Sequence, residues 1–476
     1  MKSTLVRLAM LLVLSACACA IPLLSVHAPL LENEGIYFSV TQELEHGARL
    51  YTDIWDHKPP LLFFQAHLTQ ALRTTDPEDA RRALGLVHLL IAIFSGAIAV
   101  RLSSERKLFW YAAFGYMCLS LAPVFVPWAF EADLLMLPWL LAAILAATYD
   151  SFGIWVLAGC LWAVAFFTKQ TAVFYLPMFL VLRKHDKVAG GGAFLIGADL
   201  VALAVLAPFA HDGRTADFWQ AVSGYGSTYV EGGWATLGPG QSPRLWHCLI
   251  IPTLSIYGVL ASYAYGRMRL SARRFWLNPA WAWVGCAVAG CSFTGRFFNY
   301  YCVVLLPPAA VFLAPGLTGN YGPGFRRWAW ASVLVPVGSA ALSLVLFGSY
   351  RTINYIRPLW HAEAAKVQGL ALKPLALAAP KDRLLIWGSK PQIYVYSGLR
   401  VYEGHSLFLS HLHSIPGQLE KLQVRMGTDP SEWVLVTSEL TLPTWMPPLL
   451  EKDYVEVPAI ERDSQDRLYH LRQSVH

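Results

Sequence analysis

Charge is what this sequence has least of. Only 14% of its 476 residues are Asp, Glu, Lys or Arg, against 55% that are apolar. Soluble domains carry about 25% charged residues, so a water-facing surface of ordinary size is excluded. Cysteine is sparse too: eight, at 17, 19, 118, 160, 248, 286, 291 and 302, all in or beside apolar blocks. With none in the polar C-terminal part, a disulfide scaffold there is excluded, and the eight read as small buried hydrophobes. There is no Walker loop, no nucleotide-sugar signature, no Ser/His/Asp motif, no internal repeat and no basic patch interleaved with aromatics. The net charge of +6 needs no nucleic acid, because short connectors between apolar blocks carry much of it.

What is present is apolar length. Blocks at 5–26, 84–100, 108–126, 134–149, 190–210, 247–266, 276–293, 301–315 and 328–347 approach or reach the length of a bilayer span, and 153–182 is long enough for two spans meeting at "TKQ". At about 20 residues per span, extended by neighbouring semi-polar residues, the sum is about eleven transmembrane helices. The basic connectors "RLSSERK" (101–107), "RKHDK" (183–187), "GRMRLSARR" (266–274) and "GPGFRR" (322–327) alternate with others. By the positive-inside rule they face the cytoplasm, as does the N-terminus with Lys2 and Arg7. "LSAC" (14–17) resembles a lipoprotein cleavage box, but the apolar run continues to Val26, which favours a retained helix. The expected fold is therefore an all-α polytopic membrane domain over 1–347, followed by a periplasmic soluble α/β domain over 348–476. In that tail, strands are expected at 383–388, 392–398, 433–438 and 467–472, and a helix at 413–426.

The long outer loop, 27–83, opens with Glu32, Asn33 and Glu34, followed by helical spacing over 36–47 with Gly47 as C-cap. Tandem prolines after Lys58 then force an extended turn before another amphipathic helix. The plainer reading of the acids is a solvated loop start with Asn33 as N-cap. Glu131 and Asp133 open a further span from the same face, where a capping role is again the plainer reading. Two acidic clusters at one membrane boundary point instead to a carboxylate-lined cavity. Lys58, Lys169 and Arg296 lie at or inside that boundary, where an ionisable group is costly unless it is partnered or functional. Snorkelling competes for Lys169. Arg296, set among aromatics in "GRFFNYY", suits bidentate grip of a phosphate. Acids with membrane-level cations fit sugar transfer from a lipid-phosphate carrier: a carboxylate takes the acceptor proton and the cations neutralise the departing phosphate. Glu131 and Asp133 could also hold a hard divalent cation. The histidines at 405, 411 and 413 read as solvated surface.

The run "ENEGIYFSVTQELEHGARLYTDIWDHKPPLLFF" resembles the first outer loop of bacterial GT-C glycosyltransferases, the integral membrane enzymes akin to protein mannosyltransferases and the lipid A aminoarabinose transferase. "FEADLLMLPWLLAA", "LWAVAFFTKQTAVFYLP", "GRFFNYYCVVLLPP" and "LLIWGSKPQIYVYSGLR" follow in the same order. The resemblance implies a polyprenyl-phosphate sugar donor, a periplasmic acceptor, a catalytic acid in the first loop and a phosphate-binding lysine in the "KPP" turn. By position these fall on Asn33 and Glu34, on Lys58, on Glu131 for the second-loop acid and on Arg296 for the late basic residue. Asn33 stands where the family usually has Asp, so the base role passes to Glu34 or Glu32, or activity is lost. Asn299 stands where the family usually has His. A transporter and an inactive lipid-sugar-binding homologue are the alternatives; the ionisable groups gathered at one face, with no repeat, speak against the transporter.

Overall fold

The computed structural model describes residues 2–23, 30–70, 77–122, 129–182, 187–235, 279–296, 298–318, 323–347, 378–379, 381–407, 415, 417–437, 440–457 and 466–472. The expected span at 247–266 and the histidines at 411 and 413 lie outside them. The chain forms two compact units. One comprises Met1–His27, Arg81–Pro208 and Tyr229–Ile356; the other comprises Ala28–Ala80, Phe209–Thr228 and Arg357–His476.

The first unit is helical. Among the described residues, Ala80–Ser103, Ala189–His211 and Tyr300–Leu317 are long and apolar enough to cross a membrane, and shorter apolar helices include Leu108–Ser120, Ala132–Ala146, Phe152–Thr168 and Gln170–Leu182. Leu, Ala, Val and Ile fill these segments, and a helix satisfies its own backbone where no water can. The stretch 153–182 divides at "TKQ" as expected: helix Phe152–Thr168 ends where Lys169 turns extended (φ −150°, ψ 123°), and a 3-10 turn, Gln170–Tyr175, leads into helix Leu176–Leu182. The Trp162 indole N–H donates to the Ala172 carbonyl at 2.9 Å, satisfying an acceptor in that turn. Helices Phe152–Thr168 and Lys187–His211 cross at two glycines. A Cβ on Gly159 would overlap the Phe194 carbonyl, and one on Gly197 would overlap the Val156 carbonyl. Small residues let membrane helices approach this closely.

The second unit holds a five-stranded sheet of order β2-β1-β3-β5-β4, from β1 Arg383–Trp387, β2 Arg400–Val401, β3 Trp433–Val436, β4 Tyr454–Val457 and β5 Arg467–Leu471. β1 pairs in parallel with β2 and β3, whereas β5 runs antiparallel to β3 and β4. Helices Gln418–Thr428 and Met446–Asp453 cover it, burying Leu385, Trp387, Leu422, Met426, Val434 and Leu450 in one core.

Two expectations fail here. The segment expected as a strand at 392–398 is helix Gln392–Ser397, closed by Gly398 at φ +67°. Its Ile393, Tyr394 and Val395 are all buried; with consecutive residues buried, packing overrides their strand propensity. The helix expected from 413 begins at Gln418, after Gly417 at φ +79°, because Pro416 disfavours helix at the residue before it. Strand β4 was not anticipated.

Helix Glu32–Glu45 packs on helix Gln392–Ser397 inside this second unit. Gly35 lies so close to the Gln392 backbone that a Cβ would overlap it. Ser39 Oγ donates to the Pro391 carbonyl at 3.2 Å, and Leu30 N–H donates to Tyr396 Oη at 2.7 Å. Arg400 grips both Glu43 carboxylate oxygens through three contacts at 2.7–3.0 Å, and Val401 N–H adds a fourth at 2.9 Å.

Candidate functional site

Each unit carries its own cluster of predicted residues. In the first, Glu131 precedes helix Ala132–Ala146 in extended conformation (φ −108°, ψ 141°), and Asp133 sits in the helix's first turn. Both are buried. The backbone break at Lys169 turns its side chain back, so that Nζ donates to Asp133 Oδ2 at 3.0 Å. This is a buried pair and not a snorkelling lysine, with side chains 7% and 4% exposed. Lys169 Nζ also lies 4.7 Å from the Tyr301 ring centre. Tyr301 Oη meets Tyr229 Oη at 3.0 Å, and the Arg296 guanidinium lies 4.3 Å over the Tyr229 ring. Thus Asp133, Lys169, Tyr301, Tyr229 and Arg296 form one string.

Arg296 is held by a glycine pair. Gly232 would bring a Cβ to 3.2 Å from its Nη2, and a Cβ on Gly233 would overlap the Thr294 carbonyl. Its Nη2 donates to the Tyr229 carbonyl only at 3.4 Å, while its Nε is buried with no hydrogen-bond partner among the described residues. That leaves strong, directional donors for an anion.

The second unit holds the first-loop residues. The helix opens at Glu32, with Leu31 as the extended N-cap (φ −75°, ψ 164°). The expected N-cap role of Asn33 is thereby overturned, since Asn33 already lies in the first turn. Glu32 and Glu34, two positions apart, point to opposite sides of a helix. Glu32 is exposed, Asn33 half-buried and Glu34 fully buried. Glu34 Oε2 accepts the Leu31 N–H at 2.8 Å, the reciprocal half of a capping box, which fixes the carboxylate's orientation.

The turn 50–58 presents Lys58. Its N–H donates to Asp56 Oδ1 at 2.7 Å, and its carbonyl accepts the Tyr51 hydroxyl at 2.7 Å. Its Nζ lies 2.5 Å from His57 Nε2, a geometry in which the ammonium donates to an unprotonated ring nitrogen. Tyr51 is wedged against Phe209 and Phe218, with ring centres 5.6 and 5.8 Å away.

Sequence reasoning did not single out Tyr229, Tyr301, Asp56 or His57. "DHK" and "NYY" were in view, but adjacency in sequence does not show which side chains converge. For the hard cation considered at Glu131 and Asp133, these two carboxylates are the acidic ligands in view. One of the two carboxylates already holds an ammonium, no group of three His, Cys, Asp or Glu gathers among the described residues, and hard cations of this kind take about six or more oxygens.

No family model and no curated protein matches the sequence. Solved structures do. ArnT from Cupriavidus metallidurans bound to undecaprenyl phosphate superposes with TM-score 0.61 at 14% identity, covering 97% of each chain. The same protein in the apo state gives 0.61 at 13%, covering 98% of each. The archaeal oligosaccharyltransferase AglB from Archaeoglobus fulgidus, in complex with an inhibitory peptide and a dolichol-phosphate, gives 0.49 at 13%, over 98% of this chain and 74% of that one. At such identities the likeness to ArnT speaks for architecture alone: the chain shares that protein's fold.

Proposed function

We propose that this chain is a membrane glycosyltransferase that moves a sugar from a polyprenyl-phosphate carrier to an acceptor hydroxyl on the periplasmic side. The observation that carries this reading is Arg296, a guanidinium with a buried, unpartnered Nε among the described residues. It sits in a fold shared with a protein whose structure holds undecaprenyl phosphate.

In the reaction the acceptor oxygen bonds to the anomeric carbon as that carbon's bond to phosphate oxygen breaks. The hydroxyl proton passes to a carboxylate, and the electron pair of the broken bond leaves on the polyprenyl phosphate. Glu34 is assigned the proton. Asn33 has an amide, which is no base, and Glu32 is turned to the exposed side of the helix. Lys58 is assigned to the phosphate charge by its place in the "KPP" turn, and Lys169 and Arg296 by their place in the string with Asp133 and the two tyrosines. Asp133 orients Lys169 through their 3.0 Å contact.

Native mass spectrometry of the purified protein with undecaprenyl phosphate tests the assignment, comparing wild type with the Lys58→Ala, Arg296→Ala double variant. Lipid retained by the wild type and lost by the variant supports it. No specific lipid in either overturns it.

A further inference from the structure

The Lys58 turn receives a second support that the proposed chemistry does not use. Inside the second unit, the segment Glu403–Gly404–His405 follows β2 and reaches the turn directly. Ile54 and Gly404 form an isolated parallel bridge. A Cβ at Gly404 would overlap the Asp53 carbonyl and approach Ile54 Cα, so glycine there permits the contact. The His405 ring stacks on Trp55, 5.4 Å between centres and 22° between planes. Trp55 in turn meets Tyr225 edge-on at 5.4 Å, and Tyr225 lies 5.4 Å from the His57 ring. His57 touches the Lys58 ammonium. The far end is anchored as well: His405 Nδ1 lies 3.3 Å from Glu403 Oε1, and Arg425 Nη1 donates to Glu403 Oε2 at 3.0 Å.

We propose that Gly404 and His405 are positioning residues for Lys58. The bridge at Ile54 fixes the backbone of the turn, and the His405–Trp55–Tyr225–His57 ring sequence fixes where the ammonium points. The C-terminal α/β fold thus acts on carrier-phosphate binding without touching the carrier. This rests on the assignment of Lys58 to the phosphate made above. A plain structural role for the same contacts would stabilise the unit equally whether or not position 58 carries a cation, so a double-mutant cycle separates the two.

The experiment is a titration of the full-length protein in detergent with undecaprenyl phosphate, for wild type, His405→Ala, His405→Phe, Lys58→Ala and the His405→Ala, Lys58→Ala pair. Loss of one stacked aromatic contact predicts about fivefold weaker binding for His405→Ala. His405→Phe, which keeps the stack, restores most of it. In the Lys58→Ala background, His405→Ala has no further effect. Gly404→Ala, if it folds, matches or exceeds His405→Ala. Weaker binding on Lys58→Ala together with wild-type affinity for His405→Ala overturns the positioning role alone. So does an undiminished His405 effect without Lys58. Unchanged affinity on Lys58→Ala overturns both this role and the assignment of Lys58.

Discussion

Asp133 and Lys169 are buried as a pair, and what one does depends on the other. Removing one partner of such a pair leaves an uncompensated buried charge, which costs about 3–5 kcal/mol. Asp133→Asn is therefore expected to lower the thermal midpoint in detergent sharply. Asp133→Leu combined with Lys169→Met recovers most of that stability while undecaprenyl phosphate binding stays weak. In the second unit, Arg400→Ala strands the buried Glu43; with Arg400 itself about a third exposed, a loss of about 2–3 kcal/mol follows. Acid acts on the same unit through its depressed carboxylates. Burial pushes the Glu403 carboxyl up, but His405 and Arg425 together bring it below its usual value, and Arg383 does the same for exposed Asp429. A carboxylate held lower in the folded state contributes stability above the unfolded range of about 4, and loses it as pH falls through the folded value. Thermal midpoints measured from pH 7 down to 3 should therefore fall below about pH 4, and Glu403→Gln should flatten that fall. The sequence flagged Asp133 and Lys169 because charge is so scarce in its apolar part; it did not single out Glu43, Arg383, Arg400, Glu403, Arg425 or Asp429, whose polar surroundings make one charge look like the next. It could not flag Tyr229, in a connector, or Tyr301, at the head of an apolar run, since nothing in either setting shows that the two hydroxyls meet.

Among the elements, helix existence was legible from apolar length, and the break at Lys169 from the polar "TKQ" inside it. The short helix Gln392–Ser397 was not, because β-branched and aromatic residues carry the same signal in a buried helix as in a strand. Glycine contacts were invisible for a different reason: a glycine's value depends on what faces it. At the crossing of Phe152–Thr168 with Lys187–His211, Gly197→Leu should drive the two backbones apart and cut the yield of monodisperse protein in detergent. The same change at Gly192, which meets nothing nearby, should leave yield unaltered. Gly35→Ala tests the other glycine contact. It should slow sugar transfer more than it weakens carrier binding, because it moves the helix that presents Glu34; equal loss of both would deny that selectivity.

Taken whole, the chain announced apolar helices and strands in its polar tail; the described residues are mostly helical with one small sheet, whose unit also takes in Ala28–Ala80 and Phe209–Thr228. The pairing of the first outer loop with that tail was not legible, since nothing in a single sequence links residues so far apart. The expected orientation is tested by a cysteine at position 440 in a background cleared of the eight native ones. Labelling from the periplasm alone agrees with it, and labelling from the cytoplasm reverses it. The hydrogen bond from Leu30 to Tyr396 spans 366 residues. A ribosome adding about 5–20 residues per second needs about 20–70 s to cross that interval. Throughout it, the helix bearing Glu34 is made but lacks the surface against which it sets. A chain cut short anywhere before Gln392 therefore carries helix Glu32–Glu45 without the helix on which it packs, so this part of the fold closes only when synthesis is nearly complete.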